Sequence, residues 1–398
     1  MVHQSLLTRW FALVFLAAFS AELCNSLLVH FPGYLLGLGA DEVRIGLIVG
    51  GAGLAGLAVR PWVGRVMDLH SRRLVIRTGT LMVALSTLAM AFLGTLGIAV
   101  IAARVIQVLG QAAAMTAFWT YIADRVPPEN RAQGIALFGI SGLLPIGIAP
   151  ALGDFVLTTD WGYRGLFVIA AVLALTAFGL SLSLQESGLS AAAKPTGFGP
   201  VLRSAALRPI WLVTAFLSIG FTTSFIFVKT YAATTGLNSV GPFFTAFAFS
   251  AVLWRLVFGR VPDRLGAKTV IGPGLAAYAS GLAIVGLVRG TIGLAIGGFL
   301  AGLGHGATFP VILAMATTRA GEGDRGTVTA VFTAMFDLVL FAAAPLLGLL
   351  IAGFGYTAMF LTASGAVLIG TALFYQIDRG NRSVSPTSEP ATAPVPHW

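Results

Sequence analysis

The sequence predicts an all-α integral membrane protein with twelve transmembrane helices in two pseudo-symmetric six-helix halves. Of its 398 residues 57% are hydrophobic and only 10% charged, and mean hydropathy is +0.90, whereas an ordinary soluble domain carries about 25% charged residues. Twelve apolar runs of about 20 residues are each long enough to cross a bilayer, and a helix satisfies its own backbone polar groups in lipid. The stretch Gly64-Arg65-Val66-Met67-Asp68 returns about 195 residues later as Gly259-Arg260-Val261-Pro262-Asp263, with Arg60 matched in register by Arg255. Further echoes at nearly the same offset extend the duplication to half the chain: Arg131 to Phe138 with Arg325 to Phe332, and Ala149 to Gly153 with Ala344 to Gly348.

Taken in order, the spans are expected at 10–35, 43–64, 74–94, 97–122, 134–157 and 164–184, then 210–233, 241–260, 269–288, 291–317, 327–352 and 355–376. Residues 1–184 thus form the N-terminal half, 185–209 a cytoplasmic linker, and 210–376 the C-terminal half. Residues 377–398, rich in Pro, Ser and Thr, read as a disordered cytoplasmic tail. Arg9 ahead of the run Trp10 to Leu23 resembles a signal peptide, but no small-x-small cleavage site follows and the run continues, so it is the first span. Most of the 24 Lys and Arg residues fall on the side of the termini and linker, and only Arg44, Arg164 and Arg289 lie clearly in turns on the other. That asymmetry puts both termini in the cytoplasm. An Ala-, Gly- and Arg-rich composition suggests a GC-rich bacterial genome, hence a multi-pass protein of the bacterial inner membrane.

Several functions are excluded on the same grounds. A formal net charge of +9 does not signal nucleic-acid binding, because the basic residues are scattered one to three per turn with no aromatic-interleaved patch. The single cysteine, Cys24, supports neither a disulfide framework nor a thiolate metal cluster, and no metal or cofactor is expected. Gly51 to Gly56 fits a dinucleotide fingerprint literally, but it lies inside an apolar run with no strand before it, where small residues allow close packing. No phosphate-binding loop with Lys and Ser or Thr occurs, so the energy source is a gradient. No nucleophile and base constellation points to an enzyme.

Gly64-x-x-x-Asp68-x-x-x-Arg72-Arg73 resembles the signature between the second and third helices of the major facilitator superfamily, with a weaker copy at Gly259 and Asp263 between the eighth and ninth. The resemblance covers all twelve spans and the linker. It implies two halves rocking about a midplane site lined by helices one, four, seven and ten. Gly64 permits close helix approach, while Asp68 and Arg72 form an ion pair or complement a neighbouring helix terminus, so the motif is expected to bias a conformational equilibrium. Arg131, Gly259, Asp263 and Pro150 are assigned to the same switch. Pro150 lies in Ala149-Pro150-Ala151-Leu152-Gly153-Asp154, which resembles the antiporter signature Gly-Pro-x-x-Gly-Gly with Ala149 and Asp154 replacing two glycines. A kink there would control bending and sealing between the halves.

Arg104-Val105-Ile106-Gln107-Val108-Leu109-Gly110 resembles the pattern Arg-x-x-Gln-Gly-x-Gly of proton-coupled members, with Val108 in place of the first glycine. A mid-membrane Arg costs about 3 kcal/mol, against about 0.3 to 0.6 kcal/mol gained per Leu, Ile, Val or Phe, so Arg104 should face a wet cavity or an acid. Glu22, mid-span in helix one, is the expected partner and the first candidate proton carrier; a hydrogen-bonded structural acid is the other reading. In the second half Asp337 and His305, midway in helices eleven and ten, are expected to pair as a further proton site. Asn25, His30, Tyr34, Gln107, Gln111, Trp119, Phe227 and Lys229 are candidate substrate contacts. Asn25 and His30 also read as interhelical glue, and Lys229 as a side chain snorkelling to the interface.

These readings converge on a monomeric secondary transporter whose partners are protons, a small-molecule substrate and the lipid bilayer. It is expected to be a proton-coupled antiporter exporting an amphiphilic, zwitterionic or anionic metabolite or drug by alternating access. The alternatives are a proton symporter or facilitator importing a small organic acid or other nutrient, and a membrane receptor built on the transporter fold.

Overall fold

The computed structural model describes residues 8–40, 42–186, 196–235, 237, 240–320 and 322–378. α1 (Arg9–Leu27) begins at Thr8, whose side chain accepts the Phe11 amide at 3.4 Å, and runs through a tight turn at Leu28–His30 into α2 (Phe31–Gly37). α3 (Glu42–Leu69), α4 (Arg72–Met90), α5 (Ile98–Arg125), α6 (Arg131–Phe138) with α7 (Ile140–Leu157), and α8 (Gly162–Leu182) complete the first half. The linker carries α9 (Phe198–Arg203). The second half follows with α10 (Arg208–Thr222), a π-helical turn at Thr223–Phe227 and α11 (Val228–Thr234). Then come α12 (Gly241–Phe258), α13 (Val261–Leu265), α14 (Ala267–Leu287), α15 (Thr291–Arg319) and α16 (Arg325–Ile377).

Among the described residues eleven helical units are long and apolar enough to span a bilayer. The last, α16, is two spans joined end to end and broken at Gly355, where φ is +80° and a Cβ would be strained. The fold is therefore twelve crossings in two halves, as the apolar runs predict. Small residues let neighbouring helices meet backbone to backbone. A Cβ on Gly79 would lie 2.6 Å from the Gly110 carbonyl oxygen, and the repeat sets Gly274 against Gly304 in the same way, so the α4–α5 and α14–α15 contacts are copies. Several buried hydroxyls are satisfied on their own helices: Thr80 donates to the Ile76 carbonyl and Thr308 to the Gly304 carbonyl, each at 2.8 Å.

Three expectations are corrected. The second span runs to Leu69, not 64, so Gly64 to Asp68 are the last turns of α3 and not a loop; Ser71 then caps α4 by accepting the Leu74 amide at 2.9 Å. Asp68 is tolerated in that helix because its carboxylate is bonded by the other half, as described below. The linker does not run to 209, since α10 begins at Arg208; within it, besides α9, Thr196 donates its amide and its hydroxyl to the Asp324 carboxylate, both at 2.8 Å. The tail does not begin at 377, since Ile377 ends α16 and Asp378 is fully buried, paired with Lys268 at 3.0 Å and Arg319 at 2.7 Å. The rest of the expected tail, 379–398, lies outside the described residues.

Asp378→Ala takes from Lys268 and Arg319 the carboxylate they share, and is expected to cost about 1–3 kcal/mol. It should lower the thermal unfolding midpoint of the detergent-solubilised protein. An unchanged midpoint would show that this ion pair does not hold the end of the last helix.

Candidate functional site

The two halves meet at the end of the bundle that carries the linker, through two copies of one contact. Asp68, at the end of α3, accepts the Gly326 and Thr327 amides at 2.8 Å each and the Thr327 hydroxyl at 2.6 Å, so it sits on the N-terminus of α16. Asp263, on α13, accepts the Ala132 and Gln133 amides at 3.1 and 2.9 Å, on the N-terminus of α6. A helix N-terminus offers unpaired amides and about half a positive charge, which is why a carboxylate suits it. Gly64 lets α3 approach: a Cβ there would lie 2.9 Å from the Thr327 Cα. Gly259 ends α12 just ahead of α13, one turn before Asp263.

Behind each aspartate the supports differ. Arg72, fully buried, pairs with Asp68 at 3.2 Å and with Asp124 at 3.0 Å, and Asp124 also receives Arg325 from the other half at 3.4 Å. In the second copy Arg131 donates to the Thr318 hydroxyl at 2.9 Å. Thr318 and Asp124 are repeat equivalents, so the acid of one copy is a hydroxyl in the other. Burial pushes the Asp263 carboxyl up to about 6, against the opposing pull of the two amides and Arg131.

Deeper between the halves, Arg60 of α3 forms the floor of the site. Its Nε donates to Asp337 of α16 at 2.7 Å, and its Nη1 donates to Thr116 of α5 at 2.8 Å and to Thr333 of α16 at 2.6 Å. The Asp337 side chain is 38% exposed while that of Arg60 is 10% exposed, so the bridge is closed on the arginine side and open on the acid side. Asp337 does not pair with His305 as expected. His305 faces into the second half, ringed by Phe221, Phe247 and Phe309 at 5.4–5.6 Å, with both ring nitrogens buried and unpartnered, whereas Asp337 faces α3. Trp119 extends this aromatic cluster across the halves by packing on Phe309 at 5.3 Å.

The expected Glu22–Arg104 pair does not form either. Glu22 accepts Asn25 Nδ2 at 3.2 Å and Gln111 Nε2 at 3.1 Å. Arg104 lies seven residues from Gln111 along α5, about 10 Å toward the far end. There its guanidinium donates to Gln107 Oε1 at 2.7 Å and stacks over Phe31 at 4.8 Å. The structure thus groups Glu22, Asn25 and Gln111 on one patch of the N-terminal half, and Arg104 with Gln107 on another. Gln107 Nε2 and Gln111 Oε1 are buried without partners.

Other candidates scatter. Tyr34 is packed at the far end of the first half, its hydroxyl bonded to the Leu93 carbonyl and its ring against Phe167 at 4.8 Å, which is a structural placement because no polar atom is left for a ligand. His30 lies 3.8 Å from Asp154. Phe227 closes the π-helical turn, 9% exposed. Lys229 lies in α11 and Pro150 in α7, with side chains outside the described ones. Sequence reasoning missed Arg60 as a site residue, although its cost in an apolar span and its register with Arg255 were visible. It missed Asp124 too, whose role depends on two arginines from elsewhere, Arg72 and Arg325.

The sequence model of the Major Facilitator Superfamily matches residues 10–244 and again 210–398, which together cover nearly the whole chain. The chain belongs to the Major Facilitator Superfamily. It is thus a multi-pass membrane protein. It is 26% identical over 173 residues to the staphylopine export protein of Staphylococcus aureus, covering 42% of each chain. It is 27% identical over 153 residues to the MFS-type transporter YhhS of Escherichia coli, covering 38% of each. The alignments span less than half the length of these curated relatives. Among solved structures, the human organic anion transporter MFSD10 matches with TM-score 0.77 at 21% identity over 92% of this chain and 99% of that one. A bacterial homologue of ferroportin in an outward-facing state matches with TM-score 0.73 at 17% identity over 94% and 100%. At these identities the likeness is one of fold.

If the paired aspartates hold the linker end shut, weakening one should open it. In a Cys24→Ser background, a cysteine at the buried Ala132 reports on the second contact. Asp68→Asn and Gly64→Val are each expected to raise its labelling rate by an impermeant maleimide about tenfold, the equivalent of one charge-assisted hydrogen bond. Equal rates in all three proteins would remove the latch role.

Proposed function

We propose that the protein is a proton-coupled antiporter that exports a small organic solute from the bacterial cytoplasm by alternating access, with both termini inside. The observation that carries this reading is the Arg60–Asp337 bridge, which joins the halves through an acid left partly exposed. In this reading the exposed part of Asp337 faces outward while the linker end is closed. A proton arriving from outside neutralises Asp337 and takes from Arg60 its counterion. Of the hydrogen bonds Arg60 makes to the other half, the one to the Thr333 hydroxyl then remains, and the linker end can part. Solute enters from the cytoplasm, Asp337 gives its proton to that side, and the re-formed bridge draws the halves together again. Glu22, held by two amides and no cation, is a second protonation site that does not bridge the halves.

The N-terminal patch of Arg104, Gln107 and Gln111 offers a cation and amides beside Phe31, which suits an amphiphilic solute carrying a carboxylate. The export function of the staphylopine exporter and the organic anions of MFSD10 agree with that class. Charge in the bridge, not packing, drives the switch in this account.

The test is proton movement in sealed proteoliposomes with an internal pH dye, challenged with a panel of organic anions, zwitterions and drugs. Asp337→Asn is expected to cut solute-evoked proton flux about tenfold or more, since it removes a charge-assisted pair. Proton flux in the same direction as solute would turn the reading to symport, and solute flux without proton movement would turn it to facilitated diffusion.

A further inference from the structure

The duplication that places Arg60 also places Arg255, on α12 of the second half. Arg60 is fully used, by Thr116, Thr333 and Asp337. Moving each partner by the repeat offset gives Pro310, Gly139 and Leu143. Every acceptor has gone, yet the geometry is kept. Thr333 meets Arg60 at Nη1, and Gly139 meets Arg255 at Nη1, so closely that a Cβ on Gly139 would collide with it. Trp119 closes the same spot from the side.

Arg255 is 2% exposed, and its Nε and Nη1 are buried without a hydrogen-bond partner. Among the described residues no acid is paired with Arg255, and the neighbouring His305, packed on Phe247 of the same α12, is itself unpartnered at both ring nitrogens. A guanidinium cannot shed its proton to escape such a place, and a buried charge without a counterion is strongly unfavourable. The closed linker end therefore shuts in a fork of donors whose chemistry suits a planar anion, and the protein provides none. Gly139, at the junction of α6 and α7, belongs to the opposite half, so parting the halves at the linker end uncovers the guanidinium on the cytoplasmic face.

We propose that Arg255 is the anchor for an anionic group of the solute, a carboxylate or sulfonate, taken up when the linker end is open. The anion stands to Arg255 as Asp337 stands to Arg60. When the halves close, Gly139 and Trp119 move onto the face of the guanidinium and leave no room for the anion, which is released toward the other side. This deepens the export reading above and rests on it for the direction of movement, not for the binding itself.

The experiment is equilibrium binding to the full-length protein in detergent, with 1-naphthaleneacetate and its neutral amide as matched probes. Wild type is expected to prefer the carboxylate about tenfold, as one charge-assisted contact would give. Arg255→Gln should abolish the preference while leaving amide affinity unchanged and the unfolding midpoint no lower, because it removes an uncompensated buried charge. Arg255→Lys should keep an intermediate preference, and it carries the test should the glutamine variant not fold. Asp68→Asn, by opening the linker end, should strengthen carboxylate binding. A wild-type preference that survives Arg255→Gln, a wild type with no preference, or one whose preference is lost in Arg104→Gln instead would overturn the proposal. Failure of proton-coupled flux with this binding pattern intact would overturn only the export reading.

Discussion

The join between the halves depends on a carboxylate seated on the N-terminus of a helix that belongs to the other half, made twice by the repeat at Asp68 and Asp263. In a bilayer, apolar helix faces gain little by leaving lipid for one another, because acyl chains are as apolar as leucine. What holds two bundles together must then be polar and local. Placing it at the aqueous edge makes it reversible, since water can take over the amides and the carboxylate when the contact opens. The small residues at the same level, Gly64 above all, set how closely the backbones approach and so whether the amides fall within reach.

Away from that edge the same chemistry becomes expensive, and the few intramembrane charges are correspondingly informative. Arg60 is offset by an acid and two hydroxyls drawn from two helices, α5 and α16. Its repeat twin Arg255 has the same seat and none of the partners. The scaffold is symmetric and the charge chemistry is not. The two seats therefore offer different chemistry at equivalent places in the two halves. His305, Phe309 and Trp119 pack in one aromatic cluster, whose Trp119 also lies against the Gly139 seat of Arg255.

Much of this was legible in the sequence because it rests on composition and repetition. Span number follows from runs of apolar residues, and the placement of Asp68 and Asp263 from a motif that recurs in register. The importance of Gly64 could be read because only a missing side chain permits that approach. The pairings could not. Glu22 with Arg104 and Asp337 with His305 were sensible matches of charge, but a helix commits each side chain to one face and one height. Seven residues of rise separate Arg104 from the level of Glu22, and a turn of face separates Asp337 from His305.

By itself, then, the sequence determined that the chain crosses a membrane twelve times in two related halves, and where its duplicated Gly-x-x-x-Asp motif lies. Those properties come from transfer of apolar residues into lipid and from a duplicated pattern, and both are one-dimensional. Only the tertiary structure decided that Arg60 holds Asp337, that Asp124 gathers Arg72 and Arg325, and that Arg255 is left without an acid. Those depend on which helix faces meet across the two halves, and that is set by packing among helices hundreds of residues apart, which no local pattern encodes.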